Sequence, residues 1–190
     1  MNGQKKMNWS QILGVMVIAS LPVSVTLNAA DGDIQKANSG EELILNGSME
    51  EGNPPDSWRG NNATLSASSD CHSGKQSLKI LASANLGGAI QTFAVKPDTQ
   101  YQLDLWFKCS DDELYVNVCT KAQSKVLYGG LKGNSEAGWT HWIVPFKTPN
   151  LPEATTAWVA LCATLPDRDT LVDDVSIKEV KSSSQTDATK

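Results

Sequence analysis

Outside the first thirty residues, no segment of this 190-residue chain repeats its apolar residues with a period near 3.6. That absence excludes a helical bundle or a helix-covered parallel sheet. The four cysteines show no C-x-x-C spacing and only two histidines could join them, so zinc and thioredoxin-type redox chemistry are poor readings. No basic stripe exists and the net charge is −5, which argues against a nucleic-acid partner and favours a neutral one. No internal repeat of fixed period occurs. Acidic residues fall in turns, at Asp111-Asp112-Glu113 and at Asp167 and Asp169. A glycosidase or lyase needs two carboxylates opposed across a groove, so no enzyme is expected.

What is present reads as β-structure. Short apolar runs, several with period two, are separated by Gly, Pro, Asn and Asp turns. Strands are expected at 43–46, 63–68, 76–82, 89–95, 101–108, 114–119, 126–131, 139–147, 156–163 and 171–180. In the clearest of them Leu103, Leu105 and Phe107 share one face, with Gln102, Asp104, Trp106 and Lys108 on the other. The next places Leu114, Val116 and Val118 inward and Tyr115, Asn117 and Cys119 outward, so the two read as a hairpin with one dry face. The fold class expected is all-β, a jelly-roll β-sandwich of two antiparallel sheets. Six Trp against three Phe and three Tyr is an unusual balance. Trp58, just after a Pro-rich turn, reads as a plug for one end of the core, and Trp106 as either groove or packed outer surface.

Residues 1–30 read as a signal peptide. Lys5 and Lys6 give a positive start, Ile12 to Leu21 an apolar run too short and interrupted for a comfortable membrane span, and Ala29-Ala30 a small-residue end. Residues 31–41 read as a linker, 42–180 as the folded domain and 181–190 as a polar tail. Export makes disulfides plausible, and Cys119 with Cys162 is the preferred pair among three possible pairings. The expected location is secreted, periplasmic or at the cell surface.

Two distant stretches carry apolar runs beside carboxylates: E-L-I-L-N-G-S-M-E-E-G at 42–52 and T-L-V-D-D-V-S-I-K-E-V at 170–180. If the first and last strands lie side by side, these carboxylates meet, and a hard cation is the physical remedy.

The order L-I-L-N-G-S-M-E-E-G, Trp58, H-S-G-K-Q-S-L-K-I, A-I-Q-T-F, Y-Q-L-D-L-W-F-K, G-W-T-H-W and V-D-D-V-S-I resembles carbohydrate-binding modules of the family 4, 9 and 22 type, over roughly Leu43 to Val180. The resemblance implies a non-catalytic jelly roll that binds polysaccharide or oligosaccharide across one sheet, with a separate glycoside hydrolase as a possible partner. It also implies a structural calcium held by Glu50, a carbonyl at Gly47 or Ser48, the Lys75 carbonyl and Asp173, with Met49 where Phe is usual and His72 where some relatives carry a carboxylate. An aromatic platform of relatives is replaced by Gly87-Gly88. Tyr115, Asn117, Gln91 and Tyr128 are then the outward candidates for stacking on sugar rings and bonding their hydroxyls. The alternative is a structural or adhesive surface module that has lost sugar binding.

Overall fold

The computed structural model describes residues 39–181 except 110–112, 124–125 and 133–137. The expected signal peptide, most of the linker, nearly all of the tail and Asp111-Asp112 lie outside these residues.

The described chain forms β1 (Ser39–Glu42), β2 (Arg59–Asn61), β3 (Ala63–Ser68), β4 (Ser77–Ala82), β5 (Gly88–Ala94), β6 (Gln100–Cys109), β7 (Glu113–Thr120), β8 (Leu127–Lys132), β9 (Thr140–Lys147), β10 (Thr156–Ala163) and β11 (Asp169–Val180). One sheet has the order β3-β4-β11-β6-β9, with β1 also on β11, and the other β2-β5-β10-β7-β8. All pairings are antiparallel. The fold is the expected jelly-roll sandwich. Its core is filled from one side by Leu78, Ile80, Leu103, Leu105, Phe107 and Ile177, and from the other by Phe93, Leu114, Val116, Val118, Val159 and Leu161. Each large apolar side chain fully buried there contributes about 1.5–3 kcal/mol relative to exposure.

Three expectations change. β6 and β7 are not a hairpin, because they belong to different sheets. Each has a dry face, and both dry faces are buried when they oppose one another across the core. The first strand lies at Ser39–Glu42, four residues earlier than its apolar run suggested, and β2 has no apolar alternation to announce it.

β1 does pair with β11, with Ser39 opposite Val180 and Glu42 opposite Lys178. The carboxylate at that edge is Glu42, whose Oε1 accepts from the N–H of Ile44 and Ile177 and whose Oε2 accepts from Ser176 Oγ. β4 occupies the other half of the same β11 edge, from Asp169 to Val172. Between the halves β11 breaks register against β6, with Asp174 at φ 49°. There the Val175 N–H turns to the Gly47 carbonyl at 2.9 Å. A Cβ on Gly47 would stand 1.9 Å from the Val175 carbonyl oxygen, so the Asn46-Gly47 turn needs its glycine.

Candidate functional site

Directly opposed residues of antiparallel strands point to the same face, so the register maps the outer surface of the β2-β5-β10-β7-β8 sheet row by row. One row runs Arg59, Ile90, Ala160, Asn117 and Tyr128. The next runs Asn61, Gly88, Cys162, Tyr115 and Gly130. On the other side of the first, Thr92, Trp158 and Cys119 align. Small residues (Gly88, Ala160, Cys162) floor the middle of this face. Trp158 and Tyr115, both half-buried, rise beside that floor. A flat apolar floor with aromatic side chains beside it suits the C–H face of a sugar ring, while amide groups suit its hydroxyls.

Two of the sequence candidates, Tyr115 and Asn117, lie on this face, and the backbone of Tyr128 is paired with Asn117. Asn117 Oδ1 accepts from the Cys119 thiol at 3.2 Å, which orients its amide. Gln91 is not on this face. It is only 4% exposed and points inward, donating from Nε2 to the Leu45 carbonyl (2.9 Å) and accepting the Leu45 N–H on Oε1 (2.8 Å). A polar residue between Ile90 and Thr92 looked outward because its neighbours have no strong alternation; the part-buried backbone of Leu45 supplies the partner that an inward amide requires. Trp158, in contrast, was not singled out. Alternation could have found it: Ala157, Val159, Leu161 and Ala163 form the dry face of β10, which leaves Trp158, Ala160 and Cys162 outside.

The register also separates the preferred disulfide pair. Cys119 is opposite Trp158 and Cys162 opposite Tyr115, four residues apart along the ladder. At about 3.3 Å per residue that is roughly 13 Å along the strand, beyond the span of about 7 Å that a disulfide bridges. None of the four cysteines is joined in a disulfide. Burial pushes the Cys162 thiol up to about 11, with a smaller contribution from the charge of Cys119.

Of the calcium candidates, Glu50 and Asp173 meet Lys75 and its neighbours in the loop at 72–76, whereas the Gly47 carbonyl accepts the Val175 N–H. Asp173 is fully buried, accepting from the N–H of His72 (2.9 Å) and Ser73 (3.2 Å) on Oδ2 and of Asp174 (2.8 Å) on Oδ1. Burial nonetheless raises its pKa, against the opposing N–H groups. Glu50 Oε1 accepts from the N–H of Lys75 (2.8 Å) and Gln76 (3.1 Å), and these bonds hold its pKa below the usual glutamate range. Gly74, at φ 66°, lets the loop close on that carboxylate, since a Cβ there would meet Oε1 at 2.3 Å. Glu50 and Asp173 thus do not face each other bare; the same loop answers both. Among the described residues neither has a cationic side chain within ion-pair distance, and no group of three or more His, Cys, Asp and Glu side chains is arranged to hold a metal. The donor set is two carboxylates and backbone carbonyls, oxygen throughout, which is the chemistry of a hard cation such as calcium.

Trp106 lies on the outer face of the other sheet. His72 stacks on one of its faces (centroids 3.6 Å apart, 12° between planes) and His141 is also stacked on the ring (4.5 Å, 9°). Asp174 holds His72 Nδ1 and Asp104 holds His141 Nε2, both at 2.7 Å. With two imidazoles stacked on it, Trp106 is packed surface and offers no platform. Trp58 is buried, its indole N–H directed to the Asn46 carbonyl at 3.4 Å, which is the expected plug.

A family model described as a carbohydrate binding domain matches residues 41–169. Among solved structures, the chain is similar to a family 16 carbohydrate-binding module 2 at 25% identity and a TM-score of 0.56, covering 71% of this chain and 98% of that one. It is also similar to the CBM22-1 xylan-binding domain from Paenibacillus barcinonensis Xyn10C, at 15% identity and a TM-score of 0.55, covering 77% of this chain and 99% of that one. A Stig cyclase from Fischerella sp. TAU shares the fold at 11% identity and a TM-score of 0.60, covering 74% of this chain and 98% of that one. Comparison with curated proteins finds no match.

Proposed function

This chain belongs to the carbohydrate binding domain family, and from that premise we propose that it binds a polysaccharide chain, without catalysis, on the outer face of the β2-β5-β10-β7-β8 sheet. The observation that carries the reading is the small-residue floor of Gly88, Ala160 and Cys162 with Trp158 and Tyr115 beside it. Trp158 and Tyr115 stack on sugar rings and Asn117 bonds ring hydroxyls, while the Tyr128 side chain lies outside those described. Trp158 takes the part that a platform at Gly87-Gly88 would have played. Supporting a binding role over a catalytic one, the outward positions described on β2, β5, β10 and β7 include a single acid, Glu113, whereas glycoside hydrolysis uses a pair. The xylan named for the Paenibacillus domain makes xylan the first ligand to try.

The reading includes a structural calcium at Glu50, Asp173 and the carbonyls of Gly47 and Lys75. Its support is a fully buried carboxylate, Asp173, with no cationic side chain paired to it among the described residues. A bound cation would tie the Asn46-Gly47 turn and the 72–76 loop to β11. The reading also includes export directed by residues 1–30, to a secreted, periplasmic or surface location where a separate glycoside hydrolase meets the same glycan.

Titration calorimetry against soluble xylan, mixed-linkage glucan and laminarin tests the groove. Loss of one stacked ring removes apolar contact of about 1.5 kcal/mol for a partly wet site, so Trp158→Ala is expected to weaken binding about tenfold. Tyr115→Ala should act in the same direction. If the wild type binds one glycan and neither variant weakens it, the ligand lies on another face; if it binds none, the structural or adhesive module is the better reading.

A further inference from the structure

The outward positions described on β2, β5, β10 and β7 include one cation, Arg59, and one anion, Glu113. Arg59 is exposed and lies on the edge strand, opposite Ile90, with Asn61 two residues on facing the same way. The flanking inward positions confirm this direction: Trp58 is in the core, and a Cβ on Gly60 would meet the Ala63 carbonyl oxygen at 2.4 Å. Among the described residues Arg59 forms no ion pair. Glu113 does not neutralise it. Their strands are three spacings of about 4.8 Å apart, and their rows four residues of about 3.3 Å, a separation near 19 Å. That is about twice the Debye length at physiological salt.

From Asn117 the row crosses Ala160 and Ile90, an uncharged stretch about 14 Å wide at that spacing, and ends on the guanidinium. A glycan laid across the strands would rest its C–H faces on the apolar middle and bring a substituent to the edge. A guanidinium presents paired N–H donors that match a carboxylate bidentately. With a net charge of −5 the protein as a whole repels anions, so any attraction must be local. We propose that the groove is built for an acidic glycan, one carrying uronic acid residues, whose carboxylate is held by Arg59 at the β2 edge with Asn61 on a neighbouring hydroxyl. This rests on the groove reading above and names the class of glycan it takes.

The test is affinity of the full chain for glucuronoxylan and for the same xylan after carboxyl reduction, which keeps backbone and length and removes only the charge. At low salt the native polymer is expected to bind about tenfold tighter, the effect of one charge-assisted hydrogen-bonded pair. The ratio should fall towards one in Arg59→Gln, stay partly in Arg59→Lys, and shrink in 0.5 M salt. Wild type binding both polymers equally, or a preference that survives Arg59→Gln, would overturn the assignment while leaving the groove intact. Binding of neither polymer by the wild type would overturn this inference, and would remove the groove reading with it if mixed-linkage glucan and laminarin are also unbound. Trp158→Ala separates the two as well, since it should weaken both polymers and leave their ratio unchanged.

Discussion

Replacing Gln91 by leucine tests whether this residue holds the fold or touches ligand. The side chain is 4% exposed, and its amide closes a two-bond ring with the N–H and C=O of Leu45, at 2.8 and 2.9 Å. These bonds fasten the segment after β1 to β5 of the opposite sheet. Leucine nearly preserves the volume but offers neither donor nor acceptor, so both backbone groups lose their partner. At about 0.5–1.5 kcal/mol net per bond the loss is about 1–3 kcal/mol. The Leu45 side chain is 66% exposed, so water reaches that backbone from one side and the lower half of the range is the expectation. For a domain of this size about 1 kcal/mol corresponds to about 3–5 °C in Tm. Thermal and urea unfolding of purified protein would measure it. Gln91→Glu supplies a finer test: it keeps the acceptor for the Leu45 N–H but has a donor for the carbonyl only when protonated. Its buried carboxyl should therefore have a raised pKa. The stability it recovers is fully present below its unfolded value, about 4.3, and is lost as pH rises through the folded pKa. An unchanged Tm in Gln91→Leu together with weakened glycan binding would refute the interior assignment and return Gln91 to the groove.

Calcium should raise the Tm by mass action on the native state, and chelator should reverse it. Asp173→Ala should abolish that response and, by removing the acceptor of three N–H groups, cost about 2–4 kcal/mol; a melting curve that chelator leaves unchanged in protein shown to be metal-loaded would remove the site. Alkylation under denaturing conditions without reductant should label all four cysteines, and a mass short by two hydrogens would reveal a disulfide that the structure does not have. In the native protein at pH 8, Cys162 should be slow to react because its pKa is near 11. N-terminal sequencing of the mature protein should find cleavage close to Ala30; Met1 retained in a membrane fraction would reject export.

The family motifs, the sandwich class and most of the strands were legible in the sequence, because a strand with one dry face writes its period directly into the chain. Leu103-Leu105-Phe107 and Val116-Val118 needed no partner to be read as inward. That the chain's first and last strands lie side by side was legible too, although the paired strand, Ser39–Glu42, lies ahead of the apolar run that suggested it. Partnership between strands was not: alternation says which face is dry and not which sheet lies beneath it, so β6 and β7 looked like a hairpin and fill opposite walls of one core. Cys119 and Cys162 are both outward in adjacent strands, and only the register shows them too far apart to join. Gln91 required the location of Leu45, 46 residues away in sequence. Trp106 could not be judged until the loop bearing His72 and the strand bearing His141 were seen stacked on it. The groove follows the same logic. Residues Arg59, Ile90, Ala160 and Asn117 come from four strands scattered over the chain, and they become one row only when hydrogen-bonded ladders set them side by side.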